Sequence, residues 1–200
     1  MTTTRRTLLL GAAATFVVAR AGLLPALAQG ADAPGFVNTF GRELVGIVNG
    51  PTPDAQKAGQ LAAAVERSVD IDTIAKFCLG RYERTATPAQ LTEYSRLFHR
   101  VLIRNIVGHL GEYKGVSFVV GRTLPNPDGQ AVQSVVTRPS QAPAAVQWVV
   151  GTTPAGPKIV DVVAEGTSLR LTQRSDYASF LSHNGGDVST LISAMQRQVG

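Results

Sequence analysis

The stretch TPAQLTEYSRLFHRVLIRNIVGHLGEYKG, residues 87–115, decides the fold of this chain. Thr87 can cap a helix, Pro88 suits the first helical position, and Gln90 can complete a capping box three residues after the cap. Apolar residues then recur with the period of an amphipathic helix. They are Leu91, Tyr94, Phe98, Val101, Leu102, Ile106 and Leu110. The stretch therefore predicts one long helix that ends near Gly115.

Three shorter helices are predicted on the N-terminal side of this stretch. The first ends before Gly50 and Pro51, which do not continue a helix. The second covers about residues 54–68, and the third begins after Asp70, a good N-cap residue, and ends at Gly80. Their apolar positions at helical spacing are Phe36, Phe40, Leu44, Ile47, Leu61, Val65, Ile71, Ile74 and Phe77.

After Gly115 the apolar spacing changes to that of β-strands. The predicted strands are residues 117–123, 130–137, 145–151, 158–164 and 168–172, separated by turns rich in proline and glycine. Two short helices, near residues 175–182 and 187–198, are predicted to close the chain. The order of elements predicts an α+β fold, in which the helical N-terminal half packs on a twisted, mostly antiparallel sheet of about five strands.

Residues 1–28 have the organisation of an export signal. Arg5 and Arg6 supply a positive start, an apolar or small-residue run follows at residues 7–19, and an Ala-Leu-Ala sequence ends at Ala28. The run is shorter than the about 20 residues that cross a bilayer. The paired arginines resemble a twin-arginine signal, and an ordinary secretory signal is the alternative. We therefore expect a signal peptide that is cleaved near Ala28.

Residues 29–200 are expected to form a single domain, because their length suits one hydrophobic core. The formal net charge of the whole chain is +5 at pH 7, and part of it lies on arginines of the predicted signal. The other basic residues are scattered and Trp148 is the only tryptophan, which argues against nucleic-acid binding. Cys78 is the only cysteine, so no intramolecular disulfide can form.

Candidate nucleophiles and metal ligands are sparse. Cys78 lies on the apolar side of a short predicted helix, which favours a buried, inert thiol. His99 and His109 lie on the long helix about 80° apart and roughly three turns distant, so they cannot bind a metal as an i, i+4 pair. His183 lies in a predicted loop. We expect all three histidines to face solvent, with no metal site.

Asp161 and Glu165 are the one carboxylate pair that could perform acid–base chemistry. In the structural alternative, Glu165 and Gly166 build a hairpin turn, and Asp161 forms a salt bridge or faces water. The sequence contains no nucleophile elbow, phosphate-binding glycine loop or zinc-ligand spacing. The polar residues therefore argue against catalysis.

The apolar residues of the strands are expected to face the long helix. The apolar residues that alternate along the predicted strands are Val119, Val136, Val146, Trp148, Val150, Ile159, Val162, Leu169 and Leu171. Periodicity does not distinguish a filled core from an apolar cavity between helix and sheet. The residues that would border such a cavity and bind a ligand are Phe98, Val101, Leu102, Ile106, Val119, Val136, Trp148, Val150, Val162 and Phe180.

Two stretches of the chain carry a family resemblance. They comprise VDIDTIAK (69–76), LGRY (79–82) and ATPAQ (86–90), then DVVAEGTSL (161–169), QR (173–174) and GGD (185–187). In this order and spacing they resemble the MlaC, or toluene-tolerance, family of periplasmic phospholipid-binding proteins. With the export signal and the intervening strands, the resemblance extends over nearly all of residues 29–200.

Two positions depart from the family pattern. Gly156, Pro157 and Lys158 stand where the family often has a tryptophan, and Thr167 stands where it often has a valine. These departures leave the identity of the lipid open. The HpnM proteins, a related branch encoded with hopanoid biosynthesis, share the motifs and are an alternative.

The resemblance implies a lipid carrier and not an enzyme. It implies shuttling of phospholipid between an outer-membrane lipoprotein complex and an inner-membrane ABC transporter with an MCE-domain subunit, which maintains membrane lipid asymmetry. No cofactor is implied, and the bound lipid is cargo. Two other classes stay open on the sequence alone: a periplasmic enzyme that acts on an apolar substrate through Asp161 and Glu165, and an interaction module with a fully packed core.

Overall fold

The structure is a computed structural model that describes residues 32–200. The helices are α1 (Ala33–Asn49), α2 (Asp54–Ser68), α3 (Ile71–Leu79), α4 (Pro88–Gly108), α5 (Leu169–His183) and α6 (Val188–Val199). The strands are β1 (Ser117–Asn126), β2 (Gly129–Thr137), β3 (Ala144–Thr153), β4 (Gly156–Ala164) and β5 (Thr167–Ser168). The predicted signal and its cleavage site lie outside the described residues. No helix within residues 32–200 is both long and apolar enough to cross a membrane.

Side-chain caps begin the helices where the sequence predicts them. Asp70 accepts a hydrogen bond from the Thr73 backbone N–H at 3.1 Å, ahead of α3. The Gln90 backbone N–H donates to Thr87 Oγ1 at 3.2 Å, and the Thr87 backbone N–H donates to Gln90 Oε1 at 2.8 Å. This is the predicted capping box of α4. Gly80 ends α3 with a φ of 59°, in the left-handed region that favours glycine.

The strands form one antiparallel sheet in the order β1-β2-β3-β4-β5. Each strand pairs with the next along the chain, so the sheet is a meander. The predicted tight turn between β4 and β5 is confirmed, with φ values of 50° at Glu165 and 82° at Gly166. The predicted α+β class is likewise confirmed.

The predicted fifth strand at residues 168–172 is wrong over most of its length. Strand β5 contains only Thr167 and Ser168. Ser168 Oγ accepts a hydrogen bond from the Leu171 backbone N–H at 3.1 Å and thereby caps α5. Leu169 and Leu171 are two residues apart, a spacing that alternation assigns to a strand. They lie in the first turn of α5 and are 52% and 56% exposed.

Helix α1, and not the longer α4, covers the sheet. Val37 and Phe40 of α1 belong to apolar clusters that include residues of the sheet. Gly41 permits the close approach, because a Cβ at this position would lie 2.6 Å from Cζ of Phe118 on β1. Helix α4 packs instead on α3 and α6. The expectation that the long helix lies across the sheet is therefore wrong.

The largest apolar cluster lies among the helices α3, α4, α5 and α6. Leu97 of α4 belongs to this cluster and is fully buried. The rings of Tyr94, Phe98 and Tyr177 meet with centroid distances of 5.9–6.3 Å. Tyr94 Oη donates a hydrogen bond to the Ala75 carbonyl oxygen at 2.9 Å, so the buried hydroxyl is satisfied.

Candidate functional site

The face of the sheet that packs against α1, called here the inner face, carries side chains in rows set by the antiparallel register. Paired residues of neighbouring strands point to the same face, so each row crosses the sheet. The rows are Gln130 with Val150 and Ile159; Val132 with Trp148 and Val162; Ser134 with Val146 and Ala164; and Val136 with Ala144. Apart from Gln130 and Ser134, every one of these side chains is apolar.

Burial of the apolar side chains decreases along the inner face from one end of the strands to the other, whereas Ser134 stays buried. Val132, Val150 and Ile159 are 0%, 3% and 1% exposed. The apolar side chains further along are only partly buried, namely Trp148, Val162, Val146, Val136, Ala144 and Ala164. Burial of the apolar side chains falls in the same direction on β2, β3 and β4. The inner face therefore has a closed end at Val150 and an open end at Val136.

Trp148 lies at the boundary between the closed end and the open end. Its ring meets those of Phe40 and Phe118 edge to face, with centroid distances of 5.8 and 6.1 Å. Its indole Nε1 donates to Ser134 Oγ at 2.9 Å, and Ser134 Oγ donates to the Val146 carbonyl oxygen at 3.2 Å. Ser134 is 3% exposed, and these bonds satisfy its hydroxyl while they fix the orientation of the indole.

Helix α1 and the segment after α4 supply the side chains opposite the open end. Leu44 and Ile47 of α1, Leu110 and Val136 are all partly buried. They pack against one small buried cluster, which consists of Val48, Leu61 and Val116. The open end is thus bordered by apolar groups from helix and sheet that are incompletely covered.

The residues predicted to bind a ligand do not form one group. Four lie on the inner face: Val136, Trp148, Val150 and Val162. Four belong to the cluster among the helices: Phe98, Val101, Leu102 and Phe180. The last two, Ile106 and Val119, are 36% and 66% exposed. The structure therefore brings together the four residues of the inner face, and ligand contact by any of the ten stays a prediction.

Sequence reasoning misses three residues around Trp148. Phe40 has helical spacing on α1, but its partner across the sheet is not visible in the sequence. Phe118 alternates with the exposed Val119, so an error of one residue exchanges the two faces of β1. Nothing in the sequence indicates a role for Ser134 on β2, because only the pairing of β2 with β3 brings it to its partner Trp148.

Two surface grooves lie outside the rows of the inner face, and Ile47 of α1 borders the larger one. One, of about 450 Å³, includes the ion-paired Glu43 and Arg67 between α1 and α2. The other, of about 250 Å³, includes Asp72 and His99, whose side chains lie 3.1 Å apart. Hydrogen bonds from Ser95 and His99 hold the pKa of Asp72 below its usual range. Neither groove is lined by any of the ten predicted ligand contacts.

Asp161 and Glu165 lie in different environments. Asp161 is 5% exposed, and its carboxylate accepts hydrogen bonds from the backbone N–H groups of Val162 at 2.8 Å and Arg170 at 3.2 Å. It also accepts from Ser168 Oγ at 2.6 Å, and Arg170 Nε lies 3.4 Å away. Glu165 is exposed in its turn. Of the two structural alternatives for Asp161, a salt bridge or exposure to water, the structure shows the salt bridge. Its carboxylate joins β4 to the first turn of α5.

The other candidate nucleophile and metal ligands lie apart from the inner face. Cys78 is 1% exposed, and burial raises the pKa of its thiol to about 12. His109 pairs with Glu112 at 2.7 Å. His183 is the last residue of α5, not a loop residue, and bonds to the Ser179 carbonyl at 2.8 Å. Within residues 32–200, no group of three or more metal-ligating side chains could hold an ion.

Comparison with known proteins gives two findings. The model of the MlaC protein family matches residues 42–197. A solved structure that is similar to this chain is the phospholipid-binding protein of Ralstonia solanacearum in complex with a phospholipid. Its TM-score is 0.74 at 25% identity, and the match covers 84% of this chain and 97% of that chain. No curated protein sequence matches this chain.

Proposed function

The chain belongs to the MlaC family, and we propose that it is an exported periplasmic carrier that holds a phospholipid by its acyl chains. The similar structure from Ralstonia solanacearum is a phospholipid-binding protein solved with a phospholipid. In this chain we assign the acyl chains to the open end of the inner face. The lipid enters there between α1 and the sheet.

The observation that carries this proposal is the incomplete burial of inward-facing apolar side chains. In a filled core, Trp148, Val146 and Val162 would be as buried as Val132, which is fully buried one position away on the same face. Partly buried groups at the open end leave apolar area that acyl chains can cover. About 25 cal/mol is gained for each Å² of apolar surface removed from water.

An apolar site of this kind explains how a carrier can both load and unload. Each methylene moved from hydrocarbon to water costs about 0.8 kcal/mol, so a long-chain lipid does not leave a bilayer unaided. A site as apolar as the bilayer makes the transfer nearly neutral and therefore reversible. The headgroup can remain in solvent, which agrees with the absence of charged side chains among the rows of the inner face.

Binding, and not catalysis, agrees with the environment of the carboxylates. Asp161 is held by two backbone N–H groups, the Ser168 hydroxyl and Arg170. These contacts use its oxygens to fix local structure, and a general base must instead be free to reach a substrate proton. The enzyme alternative through Asp161 and Glu165 is therefore not favoured.

We assign the carrier to the transfer of phospholipid between an outer-membrane lipoprotein complex and an inner-membrane ABC transporter with an MCE-domain subunit. This assignment rests on the family alone, and a hopanoid-pathway carrier of the HpnM branch is the alternative within it. Export through the predicted signal would place the chain in the periplasm. Mass spectrometry of the mature protein from the periplasm should show an N-terminus at Gln29.

The test of the proposal is lipid extraction from the natively purified protein. The mature protein is extracted with organic solvent, and the extract is analysed by mass spectrometry. We expect phospholipid in an equimolar amount with the parent protein. Val146→Asp places a charge at the open end and should remove the lipid, because an unpaired carboxylate beside acyl chains is costly.

The matched control is Val135→Asp, which introduces the same charge on a residue that is 45% exposed. This variant should retain the lipid. Circular dichroism establishes that both variants are folded. The proposal is overturned if the parent protein carries no lipid after native purification and takes none from phospholipid vesicles, or if the two variants behave alike.

A further inference from the structure

We propose that Trp148 forms the inner wall of the acyl-chain pocket and so limits the length of acyl chain that the carrier buries. The inference rests on the proposed function, which it deepens by naming a residue that selects among lipids of one class. It follows from the position of the indole between the two ends of the inner face.

The side chains on the two sides of Trp148 differ sharply in burial. Towards the closed end, Val150 and Ile159 are 3% and 1% exposed, so protein atoms already fill that space. Towards the open end, Val146 and Ala164 are only partly buried. An acyl chain that advances from the open end therefore meets the indole before it reaches the filled part.

The indole is held rigidly enough to act as a wall. Phe40 from α1 and Phe118 from β1 contact it edge to face, at centroid distances of 5.8 and 6.1 Å. The hydrogen bond from Nε1 to Ser134 Oγ, at 2.9 Å, fixes the polar edge of the ring. Rotation of the indole would break this bond, so Nε1 would lose its partner and the buried Ser134 hydroxyl would keep only its bond to the Val146 carbonyl oxygen. An acyl chain therefore stops at the ring and does not displace it.

A fixed wall makes binding depend on chain length in a defined way. The lipid comes from a bilayer, so each methylene that the pocket buries is nearly neutral. Methylenes beyond the length that reaches Trp148 must stay in water or fold back, so each lowers uptake up to about fourfold. Trp148→Ala opens space behind the wall, and it should remove up to about fourfold of this loss for each further methylene.

The experiment measures the chain lengths that are taken up from a defined mixture. Delipidated parent protein and variants are incubated with phosphatidylcholine vesicles that contain equal amounts of a graded series of acyl-chain lengths. The bound lipid is re-isolated and quantified by mass spectrometry. Trp148→Ala removes the wall, Trp148→Phe keeps an aromatic wall as the matched control, and Val146→Phe places a ring in front of the wall.

We expect Trp148→Ala to shift the bound lipid towards longer chains and Val146→Phe to shift it towards shorter ones. Trp148→Phe keeps an aromatic ring, so its distribution should stay closer to that of the parent protein than the distribution of Trp148→Ala does. The inference is overturned if folded, lipid-loaded Trp148→Ala and Val146→Phe both give the parent distribution. Val146→Phe adds volume at the open end without making a cavity, so it decides alone if Trp148→Ala does not fold. Failure of the parent protein to bind any lipid would instead overturn the proposed function.

Discussion

Substitution of two glycines in the same helix tests the packing of α1 on the sheet. Gly46 has no heavy atom within 4 Å of an added Cβ, whereas a Cβ at Gly41 would lie 2.6 Å from Cζ of Phe118. Gly46→Ala should raise the free energy of unfolding by roughly 0.5–1 kcal/mol, because alanine loses less conformational entropy in a helix. Gly41→Ala has the same gain, but overpacking typically costs about 1–3 kcal/mol.

The two alanine variants should therefore differ by about 1–3 kcal/mol in the free energy of unfolding, measured by urea denaturation. For a chain of this size, this corresponds to a difference of roughly 2–12 °C in Tm. Phe118→Leu should recover part of the loss in Gly41→Ala, because the smaller side chain makes room for the new methyl group. Equal stability of Gly41→Ala and Gly46→Ala would refute the contact between α1 and β1.

Three further predictions concern residues outside the inner face. Asp161→Asn breaks a buried ion pair with Arg170, so it should lower the free energy of unfolding by about 3 kcal/mol in urea denaturation while lipid content is kept. The control Glu165→Gln should change the free energy of unfolding by less than about 0.5 kcal/mol. Loss of lipid from folded Asp161→Asn would contradict a structural role for Asp161. Cys78 should react with a thiol reagent at mildly alkaline pH only after unfolding, because its pKa is raised to about 12 in the folded protein. From pH 9 to 12 the thiol should ionise only in the unfolded chain, so stability should fall in this window as pH rises. Thr87→Ala should cost about 1 kcal/mol in thermal unfolding, and an unchanged Tm would argue against its capping box.

The parts of the fold that depend on neighbouring residues are visible in the sequence. Caps and breakers such as Asp70, Thr87 and Gly80 act within one helical turn, so they predict where α3 and α4 begin and where α3 ends. Turn residues separate the first four strands for the same reason. The motifs around residues 69–90 and 161–187 predict the family, and the family model confirms it over residues 42–197.

Other elements were decided by partners that are distant in the chain. Alternating leucines predict a strand at residues 168–172, but Ser168 caps a helix there. Asp161 on β4 anchors the first turn of this helix, because its carboxylate accepts a hydrogen bond from the Arg170 backbone N–H. Two apolar residues at i and i+2 are too few to distinguish a strand from the first turn of a helix. The tertiary contact settles the choice.

The site shows the same division between local and distant determinants. Periodicity on α4 and on the strands identifies apolar faces, and it predicts Trp148, Val150 and Val162 as inward-facing residues. It does not identify the partner of each face, because α1 and α4 both offer apolar stripes. The close approach of Gly41 to Phe118 and the pairing of β2 with β3 are set by three-dimensional packing and strand register. Amphipathic pattern is a property of each segment alone, whereas the choice of which segments meet depends on shape complementarity across the whole chain.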